Sequence, residues 1–317
     1  MLKKALLVIS IVFIIIGGAV FALSMNELGW DFIKLSSTDS SVKEHVITNE
    51  FDTISIISDS SDVKFIFSES VENRVVCHER ENMSNTVSVE NGVLAVNTVD
   101  SRSWTDYFLL FENNKITVYL NKTDFKNLLI TSDTGDTEIP SNFKFENVSV
   151  TSKTGDVSIK STISNSLTVN VSTGDVKLEG ATASSIKISG STASMNLVNT
   201  VCEGNIQLFV STGDVKLEGV RCLNLETTGN TSTLYLTDVI ASENFFIERS
   251  TGDIIIKSSD ANEIFIETDT GDIEATLLTD KIFIPKSSTG DIDVPETVSG
   301  GKCKITTGTG DISVKIK

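Results

Sequence analysis

A five-residue phrase, Ser172-Thr173-Gly174-Asp175-Val176, returns along the chain at an almost constant interval. We term its glycine the marker, and neighbouring markers lie 19 or 20 residues apart. Eight markers are glycines, and two worn copies carry another residue in the same phase. The marker residues are Gly135, Gly155, Gly174, Ala193, Gly213, Ser232, Gly252, Gly271, Gly290 and Gly310. A period of this length predicts a solenoid, in which each repeat forms one coil that stacks on the next.

Apolar residues flank the markers at fixed offsets. They stand seven and five residues before a marker, as Ile186 and Ile188 do, and two and four after it, as Met195 and Leu197 do. A spacing of two indicates a strand with one face inward, and the constant phase stacks these faces into one apolar interior. We therefore predict two short strands per coil, joined by a tight turn at the marker and a looser turn about nine residues later.

The composition of the tight turn favours a structural role. Glycine allows the positive φ of a sharp reversal, and neighbouring Ser, Thr and Asp side chains bond to nearby backbone N–H groups. A glycine-rich phosphate loop is the functional alternative. It requires a following helix and usually a lysine, and the sequence offers neither.

An aspartate follows each glycine marker, and together these aspartates are named the Asp row. The row comprises Asp136, Asp156, Asp175, Asp214, Asp253, Asp272, Asp291 and Asp311. Neighbouring coils should hold these carboxylates about 4.8 Å apart. Each either caps its own turn or joins its neighbours in binding Ca²⁺, with Asp156, Asp175, Asp253 and Asp272 as the candidate ligands. Two coils lack the aspartate, so we favour capping and expect neither a metal nor a cofactor.

The N-terminus carries an uncharged run of 19 residues, 5–23, directly after Lys3 and Lys4. It is long enough for one transmembrane helix, and the lysines place the N-terminus inside. A cleaved signal peptide is the alternative, because Ala22-Leu23-Ser24 has a small-x-small pattern. The length of the run favours a retained single-pass anchor, with the repeat domain extracytoplasmic. We assign residues 1–24 to the anchor and 25–45 to a polar tether.

Residues 46–124 are predicted to form an N-terminal β cap. Ser61 aligns with the markers and indicates a degenerate first coil, and Asn91-Gly92 between two alternating runs predicts a hairpin. We expect residues 70–115 to be an antiparallel insertion and not a coil. Residues 125–317 form the regular solenoid, which should end in an open strand edge guarded by Lys315 and Lys317.

Other residue types offer little chemistry. The chain has 26 Lys and Arg against 43 Asp and Glu, a net charge of −17, which argues against nucleic-acid binding. The two histidines, His45 and His78, lie outside the repeat. His78 follows Cys77, but adjacent strand residues point to opposite faces, so they form no nucleophile–base pair. We expect no catalytic residues and no enzyme activity.

Four cysteines occur: Cys77, Cys202, Cys222 and Cys303. Their even number allows disulfides. Cys202 and Cys222, however, share a position for small side chains, and identical positions on parallel neighbours have poor disulfide geometry. We predict packed free thiols.

The layout as a whole resembles the bacterial putative-adhesin family of unknown function. Its members carry repeated Thr-Gly-Asp-Val/Ile phrases in a β-solenoid behind an N-terminal membrane segment, and the resemblance covers residues 45–317. In that family the strand equivalent to residues 116–120 usually runs into proline, whereas Asn121 follows it here. The resemblance implies a surface protein, linked in some members to envelope stress, and carries no catalytic residues.

The sequence therefore predicts an all-β fold: a single-stranded parallel β-helix of 19–20-residue coils with an N-terminal antiparallel insertion, preceded by one transmembrane helix. Its expected function is that of a structural or recognition surface in adhesion or envelope-stress sensing. The expected partners are the membrane, through the N-terminal helix, and a cell-envelope component or membrane protein. A calcium-dependent surface module and a carbohydrate-active enzyme are the alternatives.

Overall fold

The structure is a computed structural model that describes residues 2–27, 29–30, 40–69, 72–80, 83–101 and 114–317. Within these ranges it contains one helix, α1 (Leu2–Glu27), and 28 strands. The strands of the N-terminal cap are β1 (Ser40–Ile47), β2 (Thr53–Phe67), β3 (Asn73–Arg80), β4 (Met83–Glu90), β5 (Val93–Asp100) and β6 (Asn114–Leu120). Those of the repeat are β7 (Asp124–Thr134), β8 (Thr137–Ile139), β9 (Lys144–Thr154), β10 (Val157–Ile159), β11 (Thr162–Thr173), β12 (Val176–Glu179), β13 (Thr182–Ala183), β14 (Ser185–Thr192), β15 (Met195–Val198), β16 (Val201–Cys202), β17 (Asn205–Thr212), β18 (Val215–Glu218), β19 (Arg221–Thr231), β20 (Leu234–Thr237), β21 (Ile240–Thr251), β22 (Ile254–Ser259), β23 (Glu263–Thr270), β24 (Ile273–Leu277), β25 (Lys281–Thr289), β26 (Ile292–Asp293), β27 (Gly301–Thr309) and β28 (Ile312–Ile316).

Equivalent strands of neighbouring coils pair in parallel and in register. On the long side of the stack, Ile188 of β14 pairs with Val169 of β11 and with Leu208 of β17. The shorter strands that follow the markers stack in the same way, β10 on β8 and β12 on β10. The predicted parallel β-solenoid is confirmed, because one conserved phase brings every coil into the same register.

The core runs along the axis of the stack. Ile186, Ile188, Met195 and Leu197 are all buried, as their offsets from the marker predict. The small residues nine positions after a marker, such as Ala183, are buried as well. The strand phase is therefore confirmed on both sides of the turn, with the exception of Ile292, two residues after Gly290, which is 45% exposed.

The marker turn requires glycine for two reasons. All eight marker glycines adopt a positive φ, between 122° and 149°. A Cβ on Gly155 would also lie 2.2 Å from the carbonyl oxygen of Gly135 in the preceding coil, which no side chain tolerates. Ala193 and Ser232 do not adopt the positive φ, so these two turns follow a different backbone path.

The N-terminal cap combines antiparallel and parallel pairing. Asn91 and Gly92 have φ values of 52° and 77° and join β4 to β5 in the predicted hairpin. The expectation that residues 70–115 form no coil is wrong in part, because β5 pairs in parallel with β2. The alternating pattern of β5 has the same period of two as a coil strand. The Asn-Gly turn signal predicts the antiparallel pairing of β5 with β4, but it gives no information about the strand on the other side of β5, which is β2. Residues 102–113 lie outside the described residues.

The first coil contains Ser61 at the marker position, as predicted. Its carbonyl oxygen would lie 2.4 Å from a Cβ on Gly135, the same close approach that later markers show. β1 starts at Ser40 and takes in the last part of the predicted tether. Residues 31–39 of that tether lie outside the described residues.

The C-terminal end of the stack departs from chain order. β27 lies between β23 and β25, so Cys303 pairs with Ile264 on one side and Phe283 on the other. β28 lies in the same way between β24 and β26. The prediction of an open terminal edge at Lys315 and Lys317 is therefore wrong in part: β28 is not the terminal strand, but β26 pairs only with Ile312 and Ser313, and Lys315 pairs on the β24 side alone.

The terminal edge on this side is β25 rather than the last strand in sequence. At the two inward positions β25 presents Phe283 and Pro285, both half-buried, whereas β27 presents Cys303 and Ile305, both fully buried. Proline lacks the N–H that a strand paired on both sides needs, so it is confined to sheet edges. The strand that packs better thus takes the interior place.

Helix α1 is apolar from Ala5 to Leu23, directly after Lys3 and Lys4. Residues Ser10–Glu27 have a mean hydropathy of 1.8, and only 6% of this segment is buried against the rest of the chain. The helix is long and apolar enough to cross a membrane, and a signal sequence would have the same character.

Candidate functional site

The Asp row forms inter-coil hydrogen bonds. The backbone N–H of Asp156 donates to Oδ1 of Asp136 at 2.8 Å, and that of Asp175 donates to Oδ1 of Asp156 at 2.8 Å. At the C-terminal end of the stack the order in space is Asp272, Asp311, Asp291. The backbone N–H of Asp311 donates to Oδ1 of Asp272 at 2.9 Å, and that of Asp291 donates to Oδ1 of Asp311 at 2.8 Å. Seven of the eight carboxylates therefore cap the turn of the adjacent coil, not their own turn as the sequence suggested.

The four candidate calcium ligands fall into two separate pairs. Asp156 and Asp175 are neighbours in the row. Asp253 and Asp272 are also neighbours, and the backbone N–H of Asp272 donates to Oδ1 of Asp253 at 3.0 Å. Between the pairs lie the coils without the aspartate, where the backbone N–H of Ser194 still donates to Asp175. One oxygen of each carboxylate is thus already used by the backbone. Calcium wants six to eight oxygen ligands, and one aspartate per coil supplies few of them.

A second row of polar side chains was not predicted from the sequence. Asparagines eight residues before several markers form an amide chain across the coils. Nδ2 of Asn147 donates to Oδ1 of Asn127 at 3.1 Å, and Nδ2 of Asn244 donates to Oδ1 of Asn224 at 2.9 Å. The constant offset of these asparagines would have revealed the row, which stabilises coil stacking.

An outer groove of about 440 Å³ crosses five consecutive coils. Each coil contributes the residues that lie four, three and two positions before its marker. The groove is lined by residues 151–153, 170–172, 189–191, 209–211 and 228–230. Within the groove, Gly190 and Gly229 pair with Val210 on either side.

The chemistry of the outer groove is neutral and polar. Hydroxyl and amide side chains form most of the lining, and Phe209 is the one aromatic residue among its described members. Lys153, the one charged residue of this described lining, pairs with Asp133 at 2.7 Å. The ammonium of Lys187 lies 5.7 Å from the centroid of the Phe209 ring. The groove therefore presents a half-exposed aromatic ring among hydrogen-bonding groups without a free acid.

The four cysteines are free and buried, which confirms the prediction of packed thiols. Burial raises the pKa of Cys77, Cys222 and Cys303 to about 12 in each case. As free thiols they are neutral and unreactive at ordinary pH. Cys77, the cysteine of the N-terminal cap, lies beside two polar side chains, His45 and Glu79. Because these residues meet only through strand pairing, no sequence motif indicated the cluster.

A buried ion pair was also invisible in the sequence. Nζ of Lys281 lies 2.7 Å from Oδ1 of Asp260, and their side chains are 3% and 9% exposed. Oδ2 of Asp260 accepts further bonds from the backbone N–H of Leu278 and the hydroxyl of Thr279. The pair joins the first residue of β25, Lys281, to Asp260, which directly follows β22.

The family model described as Toastrack DUF4097 matches residues 51–218 and 204–317, which is most of the chain. The chain belongs to this family. No curated protein matches the toastrack chain significantly.

Solved structures resemble this toastrack protein at low identity. A putative lipid binding protein from Parabacteroides distasonis has 13% identity and a TM-score of 0.49, over 86% of this chain and 96% of that chain. A putative adhesin from the same species has 12% identity and a TM-score of 0.47, over 88% and 98%. A putative adhesin from Bacteroides fragilis has 15% identity and a TM-score of 0.45, over 88% and 97%.

Proposed function

We propose that this toastrack protein is an extracytoplasmic recognition module that binds neutral glycans of a cell surface along the outer groove. The observation that carries the proposal is the groove's lining: one aromatic ring, Phe209, among hydroxyl and amide side chains. Aromatic faces pack against the apolar faces of sugars, and hydroxyls and amides both donate and accept hydrogen bonds. A groove across five coils suits an extended polymer.

The negative charge of the protein favours a neutral glycan over an anionic one. The chain has a net charge of −17, so its field repels anionic polymers. Among the described residues of the lining, Lys153 alone is charged, and it forms an ion pair with Asp133. A neutral polysaccharide is the ligand that meets no such repulsion.

Recognition fits the groove better than hydrolysis does. Glycoside hydrolases use a pair of carboxyl groups on either side of the scissile bond. None of the described residues that line the outer groove is an aspartate or a glutamate. The proposed activity is therefore adhesion and not glycan cleavage.

Helix α1 is the proposed anchor of this module. Its apolar segment, Ser10–Glu27, is exposed along almost its whole length, so bilayer lipid would cover a surface that the protein leaves open. Mass spectrometry of the mature protein from membranes should find residues before Met25. A mature N-terminus at Met25 would instead identify the segment as a cleaved signal peptide.

The glycan proposal is tested with full-length protein in detergent and calorimetric titrations of neutral glucans, galactans and N-acetylglucosamine polymers. A matched anionic polysaccharide serves as the comparison. We expect at least one neutral polymer to bind, and Phe209→Ala to weaken it about tenfold or more, the typical loss for an aromatic contact at a binding site. Phe246→Ala is the control, because Phe246 is 42% exposed and lies outside the groove. Equal losses in both variants, or binding of the anionic polymer alone, would refute the proposal.

A further inference from the structure

Three side chains that bind transition metals meet inside the N-terminal cap. A ring nitrogen of His45, Sγ of Cys77 and a carboxylate oxygen of Glu79 all lie within 4.8 Å of one another. β1 and β3 pair antiparallel, with His45 opposite Val75, and this places His45 beside Cys77 on the same face. Cys77 is fully buried and Glu79 is 1% exposed.

His45 supplies the independent sign that a ligand is missing. Its Nε2 atom is shielded from solvent and has no hydrogen-bond partner among the residues that the structure describes. A buried polar nitrogen without a partner is costly, and native proteins rarely tolerate one. An ion bound between the three side chains would satisfy it.

The carboxylate of Glu79 is already oriented in a way that suits a metal ligand. Its Oε1 accepts a hydrogen bond from the backbone N–H of Asn85 at 2.6 Å, which orients the carboxylate. Its Oε2 lies 2.5 Å from Nζ of Lys43, whose side chain is 53% exposed. The lysine can therefore withdraw into water when another cation takes its place. A simple ion pair beside a packed thiol would explain Glu79 but would leave His45 unpartnered.

We propose that His45, Cys77 and Glu79 bind one divalent transition-metal ion of the Zn²⁺ class. Thiolate, imidazole and carboxylate together suit Zn²⁺ and not Ca²⁺ or Mg²⁺, which prefer oxygen ligands. Bonds of about 2.0–2.3 Å require the three atoms to approach one another by about 1 Å. The three side chains leave the fourth position of a tetrahedral site for a further ligand.

The site would act as a clamp within the cap. His45 belongs to β1, the first described strand after helix α1, whereas Cys77 and Glu79 both belong to β3. β1 pairs with β3 alone among the described strands, so its attachment depends on one neighbour. A shared ion therefore fastens the strand that connects the solenoid to the N-terminal segment.

Co²⁺ tests the proposal, because a thiolate ligand to Co²⁺ gives a charge-transfer band that oxygen ligands do not. Full-length protein in detergent, stripped with chelator, is titrated with Co²⁺ and then with Zn²⁺. We expect a band that saturates at one equivalent and is abolished by Zn²⁺ and by Cys77→Ser. Cys303→Ser should keep the band, because Cys303 is an equally buried thiol at the other end of the stack.

His45→Gln provides a second variant, since His45 is only partly buried and its replacement should leave the fold intact. We expect it to weaken Co²⁺ binding tenfold or more. Zn²⁺ should raise the melting temperature of the parent by several degrees and that of His45→Gln by less than one, because only a folded-state ligand stabilises. A band that persists in Cys77→Ser, or no band in the parent, would overturn the proposal.

Discussion

The Cβ atom of Ala193 lies in the space that a side chain at Gly190 would need: a Cβ on Gly190 would be 2.7 Å from it. The second worn marker repeats the relationship, because a Cβ on Gly229 would lie 2.5 Å from Oγ of Ser232. Elsewhere the position three residues before the marker carries a side chain, such as Val171. Each lost marker glycine is thus accompanied by a new glycine three residues earlier.

This compensation predicts a strong coupling between the two positions. Gly190→Val should destabilise the protein by about 1–3 kcal/mol, because it overpacks the space that Ala193 occupies. Combined with Ala193→Gly, which restores the marker, the same valine should be tolerated as it is in neighbouring coils. Chemical denaturation of the two single variants and the double variant measures the coupling, which we expect to exceed about 1 kcal/mol. Additive effects would contradict the compensation.

The order of the terminal strands predicts where the stack associates. Replacing Lys315 and Lys317 by Val should cause little association, because β26 covers β28 at Ile312 and Ser313 and leaves only the short stretch that begins at Lys315 paired on one side. Replacing Pro285 and Lys286 by Val should promote self-association, since it removes the proline and a charge from the exposed edge of β25. Dynamic light scattering of the two double variants decides between these edges. Association of the Lys315/Lys317 variant alone would contradict the strand order.

The buried ion pair predicts a large loss when one partner is removed. Lys281→Ala should destabilise the protein by about 3–5 kcal/mol, because it leaves the carboxylate of Asp260 buried without a counter-charge. Lys286→Ala on the same strand is the control, since its side chain is exposed and should change stability by less than about 0.5 kcal/mol. Urea unfolding of both variants provides the comparison, and similar losses would show that the pair is not needed.

The Asp row predicts indifference to calcium. Seven of the eight carboxylates already bond to the next coil, and no coil offers more than one aspartate of the row, so millimolar Ca²⁺ should not change the melting temperature. A bound ion at 100 times its Kd would instead stabilise the protein by about 2.7 kcal/mol. The measurement is a melting curve with Ca²⁺ and with chelator at matched ionic strength. A rise of several degrees that Asp175→Asn abolishes would make the row a cation site.

Sequence periodicity determined the solenoid because stacking in register requires the same offset in every coil. Ile188 therefore falls next to Val169 and Leu208 as the repeat predicted. The order of the last coils was not predictable in this way, since β25 and β27 carry the same phase and either would fit the stack. The two strands differ at their inward-facing positions: β25 has Pro285 where β27 has Ile305, and this difference determines which strand lies at the edge.

The candidate sites escaped sequence analysis for a geometric reason. The outer groove takes three residues from each of five coils, and no short motif contains them. His45 and Cys77 meet through the antiparallel pairing of β1 and β3, at a separation that no repeat unit sets. Chemistry that a solenoid assembles across its coils is visible only once the register of the strands is known.

The displaced terminal strands have a consequence for how the chain folds. Coils that stack in chain order can be added one at a time from the N-terminus, each on the last. That sequence of events stops at β24, because β25 finds its place only against β27, which emerges later. Completion of the stack therefore waits for the final residues of the chain. Until they arrive, the edges of β23 and β24 stay open to the wrong partner.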